Sequence, residues 1–78
     1  VVIKPIVETN TQIITSVYCT VSELVLGQYA TIVTEFYNVT GTLIKSTRDK
    51  MDGEDYSRWG NDDQYIYNWI FAKYNINQ

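Results

Sequence analysis

Histidine is absent from this 78-residue chain, and cysteine and proline occur once each. Without imidazole, histidine acid–base catalysis, Ser/Cys–His nucleophiles and zinc sites of the usual ligand sets are excluded. The single cysteine, Cys19, allows no disulfide within the chain. A chain of this length buries only about 60–65% of the surface its unfolded form exposes, so it is marginal without help. With no staple and no metal expected, oligomerisation or docking into an assembly is the help that remains. Basic residues are few: Lys4, Lys45, Arg48, Lys50, Arg58 and Lys73 form no block, and the net charge is −3. Phosphate neutralisation needs a cluster, so no nucleic-acid partner is expected. No apolar run approaches the ~20 residues that span a bilayer, so no membrane partner is expected either. The first residues, Val1 to Ile6, lack the basic start and small-residue cleavage site of a signal peptide. Cys19 lies in a strand pattern and suits a reducing compartment, where it is a small apolar residue. No base is at hand to activate it.

Leucine and alanine are also scarce, five in all, whereas valine, isoleucine, threonine and the aromatics number 37. β-branched and aromatic side chains fit a pleated surface. The reading is an α+β fold: a small antiparallel sheet or sandwich of four to five strands closed by one C-terminal helix. Residues 1–10 read as an extended N-terminal arm or edge strand, because Pro5 cannot donate to a ladder. Removing such an arm would leave the fold intact. Residues 11–78 read as one domain. After a polar break at Thr9-Asn10-Thr11, Gln12 to Val21 alternates, with Ile13, Thr15, Val17, Cys19 and Val21 on the drier face. The phase then changes, which predicts a bulge near Ser22-Glu23. Gly27-Gln28 suits a two-residue type II′ turn. Tyr29 to Val39 is the next strand, Asn38 to Gly41 the next turn, and Thr42 to about Met51 the returning strand. A short strand is predicted over Glu54 to Trp59, with a break at Gly60. Asn61 then reads as an N-cap, with Gln64 completing a capping box, and the helix runs from about Asp62 to Tyr74.

Five of the nine acids fall between Met51 and Asp63. Their spacing does not match an EF-hand loop, and the chain is too small for the cleft of a carboxylate-pair glycosidase. No cofactor, metal or catalytic residue is assigned. The predicted helix carries Tyr65, Ile66, Tyr67, Trp69, Ile70, Phe71 and Tyr74, an arc wider than the ~100° a surface helix buries. Such rings can pack on the chain's own sheet, on a partner, or under a sugar, and Tyr and Trp are enriched at protein interfaces. The candidate protein-interface residues are Val2, Ile3 and Ile6 in the N-terminal segment and Tyr67, Trp69, Phe71 and Tyr74 on the helix.

The run Asp52-Gly53-Glu54-Asp55-Tyr56-Ser57-Arg58-Trp59-Gly60-Asn61-Asp62-Asp63-Gln64-Tyr65-Ile66 resembles a closing pattern of small structural proteins of tailed bacteriophages. That pattern reads Gly-Glu-x-Tyr-x-x-Trp-Gly-x-Asp-Asp-x-Tyr-Ile before a short final helix. Tyr37 to Ile44 resembles the strand–turn–strand that precedes it there, so the likeness spans roughly residues 24 to 76. The resemblance implies a non-enzymatic virion component that assembles in the host bacterial cytoplasm. A minor or auxiliary capsid protein, decorating or cementing the shell in many copies, is the first expectation. A neck or tail protein is the second. Outside that class, a small carbohydrate- or protein-binding module is the alternative. Expected partners are other virion proteins and further copies of the chain.

Overall fold

The computed structural model describes residues 1–9 and 12–77. The chain forms four strands, β1 (Val2–Thr9), β2 (Gln12–Val25), β3 (Tyr29–Tyr37) and β4 (Leu43–Asp52), then two helices, α1 (Gly53–Trp59) and α2 (Asp63–Tyr74). The strands pair antiparallel in sequence order, β1-β2-β3-β4. This is the small α+β fold that the scarcity of leucine and alanine predicts. Asn10 and Thr11, read as part of a polar break, lie outside the described residues.

One face of the sheet meets the helices. Ala30, Ile32, Thr34 and Phe36 of β3 are buried there, opposite Met51 of β4 and Val17 of β2. Ile66, Ile70 and Phe71 of α2 and Trp59 of α1 close over them into one core cluster. Burying each such side chain contributes roughly 1.5–3 kcal/mol. The other face of β3 carries Tyr29, Val33, Glu35 and Tyr37, half-buried among their neighbours.

Where the pattern misleads, a local irregularity is the cause. In β2 the alternation predicts Ile13 inward, yet Ile13 is 45% exposed and Ile14 only 1%. Ile14 pairs with Ile6, while Ser16 pairs with Val2, so three residues of β1 face one of β2. Pro5 sits in that irregularity, where its missing N–H costs no ladder bond. Ile14 and Val17, three apart, both reach the core. The bulge expected near Ser22 is present: Val21 pairs with Ile32 and Glu23 with Thr31. The β2–β3 turn differs from the expectation. Gln28 N–H donates to the Val25 carbonyl at 3.0 Å, and Gly27 has φ +74°. Positive φ at the third turn position marks type II, with a three-residue loop, not a two-residue type II′.

The expected strand over Glu54–Trp59 is a helix. Gly53 (φ +59°) turns the chain out of β4, Glu54 and Asp55 fill the first helical turn, and Gly60 ends it in the left-handed region. The fold thus has two helices where one was expected. The cap of α2 is Asp62, not Asn61: its carboxylate accepts from Gln64 N–H at 3.0 Å, and Asn61 has φ +63°. At the other end Asn75 is left-handed, and Ile76 N–H returns to the Phe71 carbonyl at 2.8 Å. Ile76 and Phe71 are both buried, the hydrophobic contact that accompanies this kind of cap. The tail continues to β1, where Lys4 N–H donates to the Asn77 carbonyl at 2.8 Å.

Candidate interaction surface

The wide apolar arc of α2 is used largely within the chain. Tyr65 hydroxyl and Trp69 Nε1–H both donate to the Asp55 carboxylate of α1, at 2.9 and 3.1 Å. Tyr74 hydroxyl donates to Asp49 of β4 at 2.7 Å, and Lys73 pairs with the same carboxylate at 3.1 Å. Tyr67 hydroxyl accepts from Cys19 N–H at 3.1 Å. A tyrosine can flank a buried stripe because its ring packs and its hydroxyl finds a partner. The acids are spent the same way: Asp62 caps α2, and Glu54 pairs with Arg58 on the surface. Among the described residues no three metal-ligating side chains converge, and no helix is long and apolar enough to cross a membrane.

The seven candidate interface residues therefore separate. Val2 is 80% exposed and faces solvent. Ile3 and Phe71 are buried in the chain's own core, which takes them off the surface. Ile6, Tyr67, Trp69 and Tyr74 are half-buried and pack against that core. The N-terminal segment does not project as an arm. It is the outer strand of the sheet.

The surface with the most unused bonding capacity is on β2. This strand is 14 residues long, and β1 covers only its first part. The last β1 contact is Val1 with Val17, whose backbone groups exchange two hydrogen bonds of 2.9 Å. Among the described residues, β2 from Tyr18 to Val25 has a partner strand on the β3 side only. Antiparallel alternation aims the N–H and C=O of Val17, Cys19 and Val21 at the same edge. Tyr67 occupies the Cys19 N–H, so Val21 presents the next free pair. Tyr18, Val21 and Leu24 are exposed along this stretch, and Leu26 beyond it is 81% exposed.

Two hollows flank the edge on the helix side. The first, about 150 Å³, lies between β2 and the start of α2 and is lined by Tyr18, Cys19, Val21, Asp63, Ile66 and Tyr67. The second, about 220 Å³, is formed by Leu24 and Leu26 against Tyr56, Trp59 and Gly60 of the α1 region. Tyr56 hydroxyl holds the hairpin above it, accepting from Gly27 N–H at 2.9 Å. The Trp59 indole N–H is buried without an acceptor among the described residues, so packing alone holds that ring. Both hollows are smaller than the roughly 300–1,000 Å³ of small-molecule sites and match single side chains. A shallower depression of about 520 Å³ between Gly27 and α1 is lined by exposed residues such as Glu54 and Arg58.

This edge was not among the residues chosen from the sequence. The signal was a length mismatch: a long β2 pattern facing a shorter β1 segment must leave part of one side unpaired.

Cys19 lies at the first hollow with its Sγ 3.6 Å from Thr34 Oγ1, and burial pushes its thiol pKa up, which makes it a poor nucleophile. Tyr67 is shifted up by burial, and Tyr65 and Tyr29 by hydrogen bonds to Asp55 and Glu23. All these groups hold their protons more tightly folded than unfolded. Above the unfolded values, about 8.5 for a thiol and 10 for a phenol, the unfolded state therefore sheds protons first. Stability is retained below that range and lost as pH rises through it. The urea midpoint is expected to fall between pH 8 and pH 10.5. A flat or rising midpoint over that interval contradicts this assignment.

Compared with family models, curated proteins and solved structures, the chain has no match.

Proposed function

We propose that the chain is a non-enzymatic assembly subunit, a structural component of a tailed-phage virion that binds neighbouring proteins through the uncovered half of β2. The observation that carries this is the run from Tyr18 to Val25, which has one strand partner and exposed Tyr18, Val21 and Leu24 beside it. Uncovered strand edges template pairing with other chains. Backbone hydrogen bonds then give affinity and side-chain pockets give specificity. Repetition on a lattice multiplies a weak contact.

The virion assignment rests on the resemblance over residues 53 to 66, and an auxiliary shell protein that decorates or cements the head is its finer form. Protein contact is favoured over a sugar platform by where the rings are. Trp59 is buried, and Lys73 Nζ lies over the Trp69 ring 5.1 Å from its centroid, which leaves no pair of free tryptophan faces to stack a sugar. The test is the protein inventory of purified virions made from the genome that encodes this chain. A fixed, high copy number relative to the shell protein is expected. Absence from intact particles overturns the assignment.

A further inference from the structure

We infer that the uncovered edge of β2 receives an extended segment of a neighbouring protein, antiparallel like the sheet's other pairs, that carries a lysine or arginine and, four residues before it, a large apolar side chain. The inference rests on the reading of β2 as a docking edge and specifies what docks there.

Charge decides the first position. The hollow beside Cys19 has an apolar floor of Val21 and Ile66, two phenol rings (Tyr18 and Tyr67) as walls, and one charged group, Asp63. Asp63 is exposed in the first turn of α2, and no side chain among the described residues pairs with it. Its charge reaches the Tyr67 hydroxyl, whose pKa it helps to raise. Asp62 stands next to it at the cap. None of the six basic residues lines either hollow. A lysine or arginine fits this arrangement: its stem lies on the rings and floor, and its head meets the carboxylate. An acidic side chain would meet Asp62 and Asp63 uncompensated.

Shape decides the second position. The hollow between Leu24, Leu26 and Trp59 has no charged lining residue and asks for an apolar side chain. Cys19 and Leu24, one in each hollow, pair with Thr34 and Ala30, so the bulge in β2 sets the hollows four ladder positions apart, or roughly 13 Å of extended chain. Residues four apart in an added strand point to the same side of the sheet. Between them, the free N–H and C=O of Val21 supply ladder bonds to the incoming backbone.

Fluorescence anisotropy with two labelled ten-residue peptides tests this. Both have a threonine–valine frame with leucine at position 3. One has lysine at position 7, the other glutamate. The lysine peptide is expected to bind about tenfold more tightly, the sum of a partly exposed ion pair and a cation–ring contact. Asp63→Lys should reverse the preference, and Asp63→Asn should reduce it without reversal, leaving the part due to the rings and Asp62. Asp63 is exposed, and circular dichroism checks that both variants keep the fold. Equal binding of the two peptides, or no binding at millimolar concentration, overturns the inference. Peptide preference without the chain in virions would discard the virion reading and keep this one. The chain in virions without peptide preference would do the reverse.

Discussion

Deletion of residues 1 to 7 is expected to abolish cooperative unfolding. These residues form most of β1, and they contribute more than an edge ladder. Ile3 is 4% exposed in the core cluster, and Ile6 packs against that cluster opposite Ile14. Their removal uncovers Ile14 and Val17, each 1% exposed in the full chain. It also removes the donor that holds the tail, Lys4 N–H on the Asn77 carbonyl. Losing the burial of Ile3 alone costs roughly 2–5 kcal/mol by the measure of large-to-small core substitutions. A domain of this size has about 4–12 kcal/mol in total. Urea titration followed by circular dichroism checks this. A cooperative transition within ~1 kcal/mol of the full chain would show that β1 is dispensable.

The second large effect is expected at Ile70. It is fully buried on α2, beneath which lies the sheet face of Ile32, Thr34 and Phe36. Ile70→Ala removes side-chain volume inside the core cluster built from the sheet face and the helices, which leaves a cavity. The expected loss is about 3–5 kcal/mol, read as a lower denaturant midpoint at unchanged slope. Asn68→Ala on the same helix is the control. Asn68 is exposed and bonds only to Gln64 among the described residues, so its loss should stay within about 0.5 kcal/mol. Similar midpoints for the two variants would mean that α2 does not seat on the sheet as described.

The strands were legible because β-branched residues and turn residues alternate cleanly from Gln12 to Met51. The bulge near Ser22 was legible too, since Leu24 falls out of phase with Val21. The face of Ile13 and Ile14 was not. Both are isoleucine, and the choice between them is made by three residues of β1 opposite one of β2, a register no periodicity in β2 records. Helix α1 was hidden for a different reason. Glu54 to Trp59 is short, with rings at Tyr56 and Trp59 that suit either period. Its helical state comes from Gly53 and Gly60 taking positive φ at its two ends. The β2 edge was hidden because pairing extent is a tertiary property, and the pattern shows only that β2 is long.

The stitch between Lys4 and Asn77 has a kinetic meaning. It joins positions separated by nearly the whole chain, and Ile76 beside it is part of the core. The sheet can form hairpin by hairpin, but the interior stays unsealed until Ile76 and Asn77 dock beside β1. Closing so long a loop is entropically slow, which places this contact late in folding. In that interval the first strand has a bare outer side, and any neighbouring chain within reach competes for it.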